Sequence, residues 1–158
     1  MGICTANIIC SDSTFTIFCD LLSEFEVGGF TYYELLDGRV EPGEWTVFAP
    51  TDEAFDAIEE SPALSLTDLS MEQLMDIISF HAIQFEVLAI EDLVCKETVV
   101  MFNGDDSRTK CDRDDETGER YKAQKGAGQL DGMLPRITMP NIEACNGIIH
   151  MIDNVMLL

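Results

Sequence analysis

The sequence predicts an α+β fold, with helices packed on an antiparallel or mixed sheet. Three observations carry this. Apolar residues recur at helical spacing in the first half of the chain, as Phe15, Phe18, Leu22 and Phe25, and then as Met71, Leu74, Met75 and Ile78. Short apolar runs bounded by turn residues lie between and after these stretches, and most of the late chain reads as strand. Consecutive strands follow one another without helical crossovers, which argues against a doubly wound parallel sheet.

In chain order, residues 7–10 read as a helical turn. Ser11-Asp12-Ser13-Thr14 is a cap cluster that opens a helix over 15–25, and Gly28-Gly29 closes it. Residues 32–36 form a short helical piece ended by Asp37-Gly38, and Pro42-Gly43 is a turn. The chain is organised around residues 46–55. Thr46-Val47-Phe48-Ala49 reads as a short buried strand that stops at Pro50, because proline has no N–H for a central ladder. A helix starts at once: Thr51 or Asp52 caps it, Asp52 and Glu53 suit its positive end, and Ala54, Phe55 and Ile58 make its apolar stripe. Residues 59–66, with Pro62, are irregular. Ser70 and Gln73 form a capping box for a helix over 71–79.

The period then changes. Residues 80–87 read as a strand and 91–94 as a short helical piece. A valine-rich strand over 98–102 meets Asn103-Gly104, a hairpin signal, and 107–111 is the return arm. Residues 112–131 are polar and glycine-rich, a loop or an extension of that hairpin. Residues 136–139 form a strand that Pro140 breaks, and 148–158 form a long strand, apolar on both faces and therefore central.

The chain has 158 residues, enough for one domain with a sizeable core, read as 1–158 with 1–6 as a linker or an artificial start. No apolar run approaches the about 20 residues of a membrane span, and Met1-Gly2-Ile3-Cys4 lacks the basic and long apolar regions of a signal peptide. The net charge of −21 opposes binding to nucleic acid or anionic membranes. The charge is uneven. Residues 105–125 hold seven acids and six bases, whereas the other 137 residues hold 23 acids and three bases, Arg39, Lys96 and Arg136. Segment 105–125 is either a solvated hairpin or a patch that docks on an acidic neighbour, with Arg108, Lys110 and Arg113 as its contact cations.

Six cysteines in such a chain suggest an oxidising compartment. Cys10 and Cys19 flank a turn and can bridge locally, Cys95 and Cys111 lie on the two arms of the expected hairpin, and Cys4 and Cys145 remain. Buried free thiols in a reducing cell are the other reading. There is no Cys-x-x-Cys and there are only two histidines, a poor supply of zinc ligands.

Three blocks resemble the fasciclin (FAS1) family, in its order and at its spacing: residues 46–55, Phe80-His81-Ala82-Ile83, and the stretch from Asn146 and Gly147 through His150 to Leu157. The likeness runs from about residue 7 to 158, and the acidity and cysteines are most similar to cysteine-bearing algal members. The resemblance implies a β-sandwich or wedge with several helices around one side, and two signature strands side by side in the core. It also implies that Phe80 stands where the family's adhesion-linked motif has tyrosine, so the hydroxyl is absent. Asn141, followed by Ile142, stands where the family carries an aspartate used in integrin recognition, so no charge is present to complete a receptor metal site. There is no Arg-Gly-Asp and no Asn-x-Ser/Thr.

The remaining candidates each have a plain reading beside them. His81 and His150 would suit a metal site or an acid/base couple, but their apolar strand contexts read first as core histidines with satisfied rings. Asp112, Asp114, Asp115 and Glu116, with Asp105 and Asp106 across the hairpin, would offer calcium its oxygens, although the EF-hand spacing is absent and a solvated loop suffices. Asn146-Gly147 reads as a turn into the last strand. No catalytic machinery and no cofactor are called for. The sequence reads as an extracellular module, secreted or at a cell surface, that binds itself, matrix proteins or polysaccharides. A small-ligand domain with a pocket between helices and sheet is the alternative, and an intracellular enzyme or regulator with free thiols is a further rival.

Overall fold

The computed structural model describes residues 3–39, 43–61 and 64–158. Met1-Gly2 and the breaks expected at Pro42 and Pro62 lie outside the described residues. Helix α1 (Thr5–Ser11) leads through a 3-10 turn (Ser13–Phe15) into α2 (Thr16–Glu24). Cys4, Thr5 and Ala6 are buried, so the stretch read as a linker joins the fold from Cys4 onward. The ribbon of β1 (Glu26–Val27) and β2 (Phe30–Thr31) turns at Gly28-Gly29 into α3 (Tyr32–Leu36), whose capping box is made by Thr31 and Glu34.

β3 (Trp45–Pro50) is buried along its whole length. It lies inside a four-stranded sheet of order β4–β3–β9–β8, with β4 (Ala82–Gln84), β8 (Ile137–Ala144) and β9 (Gly147–Ile152). β3 and β9 pair in parallel, with Val47 opposite Ile149 and Phe48 opposite His150, whereas the other two pairings are antiparallel. The signature strands therefore do lie side by side, in a mixed sheet.

Side-chain alternation explains why β3 is apolar on both faces. Trp45, Val47 and Ala49 belong to one core, with Phe15, Phe18 and Leu22 from the α2 region. Phe55 and Ile58 of α4 (Asp52–Glu60) and Ile78 of α5 (Met71–Ser79) complete it. Phe48 belongs to the second core, with Phe80, Ile83, Met101, Ile137 and Ile152. A second sheet, β5 (Thr98–Val100), β6 (Asp106–Arg113) and β7 (Arg120–Lys125), is antiparallel throughout and covers that side. The layers run helices, mixed sheet, antiparallel sheet. This is the α+β fold that the sequence pattern predicts, in the sandwich with helices on one side that the family resemblance implies.

Three expectations are corrected, and one left with two readings is decided. The strand read over 80–87 is only Ala82–Gln84, because Phe80 and His81 form the turn that ends α5, with the Phe80 N–H on the Asp76 and Ile77 carbonyls. Of the two readings of the polar stretch 112–131, the hairpin extension holds: it contains β7, which returns against β6. Pro140 does not break its strand: β8 is an edge strand and runs through it with two register shifts, since an edge position needs no N–H there. The strand read over 148–158 ends at Ile152. Val155, Met156 and Leu157 are still buried, but side chains from elsewhere hold them. Gly126 is required for this close approach, because a Cβ there would lie 1.9 Å from the Leu157 carbonyl oxygen and 2.7 Å from Phe80 Cε2.

Candidate functional site

Most of the motif positions turn out to be internal clasps. Thr51 caps α4, accepting the Ala54 N–H at 3.2 Å. Asp52 does something else. Its carboxylate accepts the Thr16 hydroxyl at 2.5 Å and the Ile17 N–H at 2.8 Å, so it caps the first turn of α2 from the start of α4. Two helix N-termini thus share one acid, an arrangement both helix dipoles favour.

The two histidines do not form a joint site. His81 packs beside Phe18, and His150 lies against Phe48. His81 Nδ1 lies 2.6 Å from the Ile77 carbonyl, and Nε2 accepts the Met156 N–H at 2.9 Å. The neutral ring with its proton on Nδ1 is the form that satisfies both. Burial pushes its pKa down to about 4. His150 Nδ1 accepts the Asn141 N–H at 3.1 Å, its Nε2 lies 2.8 Å from the Leu88 carbonyl, and burial lowers its pKa as well. Each ring spends both nitrogens on backbone, so neither has a lone pair left for a metal.

Asn141 sits at φ 59° in the irregular part of β8. Its Oδ1 accepts the Ile90 N–H at 2.8 Å and its Nδ2 donates to Glu91 Oε1 at 3.0 Å, which fastens the 3-10 turn Ile90–Asp92 to β8. Ile142 packs against the helix-side core. Asn146 lies in the turn expected before the last strand and is also a buried hub. Its Oδ1 accepts the Thr5 N–H at 3.0 Å, its Nδ2 donates to the Leu36 carbonyl at 3.0 Å, and its own carbonyl accepts the Trp45 N–H. Gly147 must be glycine, since a Cβ would lie 1.9 Å from the Trp45 carbonyl oxygen. The cysteines come together as Cys4–Cys145, Cys10–Cys19 and Cys95–Cys111, with Cα separations of 4.5, 5.1 and 5.5 Å.

The calcium candidates are not assembled. No group of three metal-ligating side chains occurs among the described residues. Asp105 and Asp106 lie at one end of β6, and Asp112 to Glu116 at the other, roughly 20 Å away at the rise of a strand. Asp114 is committed elsewhere. Arg136 Nη1 lies 2.7 Å from its Oδ2, and the Glu116 and Thr117 N–H groups bond its Oδ1. Arg136, with these amides, holds the Asp114 carboxyl down to about 2. The Arg136 guanidinium also lies 4.0 Å over the Tyr121 ring.

The three candidate contact cations are split between two faces. Alternation along β6 puts Arg108 and Lys110 on the outward face, where Lys125 pairs with Arg108, and puts Arg113 on the other face with Ser107, Thr109 and Cys111. Arg108 Nη1 bonds the Lys96 carbonyl. Arg113 instead joins Arg120 and Lys122, which sequence reasoning did not single out, at a groove of about 800 Å³ between β7 and β8. The signal that could have found them was the alternation of Arg-Tyr-Lys-Ala-Gln-Lys within a polar stretch. A separate apolar hollow of about 320 Å³ lies between α5 and the C-terminal segment, lined by Leu69, Ile77, Leu130 and Leu157.

The fasciclin domain profile matches residues 13–158. The chain belongs to the fasciclin family. The fasciclin chain is 33% identical over 132 residues to an uncharacterized protein of Synechocystis sp., covering 84% of this chain and 86% of that one. It is 27% identical to human Stabilin-1 over 78% of its own length but only 4% of Stabilin-1, and 26% identical to mouse Stabilin-1 over 96% of its length and 5% of the relative. A FAS1 domain pair from the insect cell adhesion molecule fasciclin I superposes with a TM-score of 0.53 at 16% identity, covering 72% of this chain and 37% of that one, a likeness of fold. No helix among the described residues of the fasciclin chain is long and apolar enough to cross a membrane.

Proposed function

We propose that this chain is one extracellular module of cell-adhesion type, acting through surface contacts rather than catalysis. The observation that carries the reading is the charge distribution on the fold. Six of the nine bases lie on the β6–β7 hairpin, outside the two apolar cores, while the rest of the chain is almost purely acidic. Family membership, an adhesion molecule as structural neighbour and three paired cysteine bridges support the same reading. In this reading the Arg108 and Lys110 face contacts the acidic body of a second copy, and matrix proteins or polysaccharides are the other partners.

Sedimentation velocity over a concentration series, at low and high salt and with calcium or chelator, tests it. Salt-sensitive self-association is expected, and the double substitution Arg108→Ala, Lys110→Ala weakens it. Association that the double variant leaves unchanged removes this face of the hairpin from the mechanism. A monomer under every condition transfers the reading to a matrix partner. Six reactive thiols under denaturing, non-reducing conditions would count against the extracellular setting. The apolar hollow of about 320 Å³ favours one second reading, a small apolar ligand, which native mass spectrometry would reveal.

A further inference from the structure

β7 and β8 are the facing edges of the two sheets, joined at one end and splayed at the other. They meet at the bridge between Ala123 and Arg136, where the Gln124 N–H donates to the Pro135 carbonyl at 3.0 Å. Ladder alternation fixes what happens further along. Thr109, opposite Gln124, spends its N–H and carbonyl on Glu97 and Lys96, away from β7. Lys122 and Arg120 are in phase with Gln124, so their backbone groups also point away from β6, toward the groove. No hydrogen bond from either backbone N–H across the groove occurs among the described residues. On the opposite wall, Pro140 has no N–H to offer the outward carbonyls of β7, and the Asn141 N–H is used by His150.

Charge points the same way. Arg113, Arg120 and Lys122 share the groove face, and Arg113 lies directly opposite Arg120; of the two acids that also line the groove, Glu91 accepts Asn141 Nδ2 and Asp112 alternates to the other face of β6, so the bases prevail on this one. Like charges in that position repel. Neither guanidinium has an ion-pair partner among the described residues, in a chain with 30 acids. Lys122 Nζ bonds the Ile90 and Leu93 carbonyls, each at 2.7 Å, which fixes the 3-10 turn beside the groove and leaves one N–H free.

We infer that the groove takes an extended acidic peptide segment of a partner protein, which adds as a strand to the free edge of β7 and places acidic side chains at alternate positions against Arg120, Arg113 and Lys122. Strand addition supplies the main-chain bonds that this edge lacks, and the period of two in the added strand brings alternate carboxylates onto the basic face. The contact uses the face opposite Arg108 and Lys110, so it does not depend on the self-association proposed above.

The test is titration of the isotope-labelled full chain with a synthetic peptide of alternating Glu and Val, followed by amide NMR. Three comparisons run beside it: the same peptide N-methylated on its pairing edge, a sulfated oligosaccharide of equal charge, and the double variant Arg113→Ser, Arg120→Ser. The Lys122 and Arg120 amides are expected to shift with the plain peptide. N-methylation and the double substitution should each weaken binding about tenfold or more, the equivalent of one to two lost hydrogen bonds or ion pairs. Equal binding of the N-methylated peptide would show charge recognition without strand addition and overturn the inference. So would groove shifts caused by the oligosaccharide alone, or no shift with the plain peptide. An unchanged spectrum of the double variant away from the groove confirms that it is folded.

Discussion

Acidification should weaken the folded state through His81, and the size of the effect follows from its surroundings. The ring is wholly buried and serves the Ile77 carbonyl and the Met156 N–H in its neutral form. Protonation would turn Nε2 into a donor facing a donor. The folded pKa is about 4, against an ordinary 6.5. Above pH 6.5 the ring is neutral whether folded or unfolded and contributes no pH dependence. Between 6.5 and about 4 the unfolded chain binds a proton that the folded chain refuses, so stability falls as pH falls; below about 4 the loss is complete. From about pH 7.5 to about pH 4.5 the ring costs roughly 2–3 kcal/mol. Relief of repulsion in a chain of charge −21 acts in the opposite direction, so the total curve is a poor readout. The assay is therefore a difference, urea unfolding of the natural chain and of His81→Gln across this range. The natural chain should lose roughly 2–3 kcal/mol more than the variant, and the His81 ring protons should titrate near pH 4 by NMR. A ring that titrates near 6.5, or two parallel stability curves, would refute the reasoning.

Two further outcomes are expected. Asp52→Ala removes the acceptor that joins α2 to α4 and should cost about 2 kcal/mol in urea unfolding, whereas Asp52→Asn should recover part of it. Replacing Cys4 and Cys145 together by serine opens a bridge between residues 141 apart in sequence and should cost about 3 kcal/mol, with a lower thermal midpoint by calorimetry.

Local rules made the helices and the first signature strand legible. The stripe of Ala54, Phe55 and Ile58 and the capping box of Ser70 and Gln73 need only neighbours along the chain. What escaped depends on distant partners. β7 reads as polar loop as readily as hairpin extension because its inner side carries Gln124, which Thr109 and Ser107 satisfy across the sheet at 2.8 Å each. Pro140 looks like a break until β8 is known to be an edge. The tail at Val155 to Leu157 looks like more strand, since apolar burial alone cannot distinguish a ladder from a segment held by His81 and Gln129. At the candidate site, the cations were visible as a cluster, but their division between two faces required the register of β6 against β7.

The parallel pairing of β3 with β9 has a consequence for how the molecule is made. Every residue from Trp45 to Pro50 finds its partner about a hundred positions later in the chain, at Gly147 to Ile152. A nascent chain that has just released α4 and α5 from the ribosome already displays Val47 and Phe48 with one flank bare. The central ladder cannot close until β9 emerges. Loop closure over that span precedes the contacts that reward it, so folding should be slow. In the interval the bare flank of β3 is an apolar strand edge open to other chains, the kind of surface that chaperones protect.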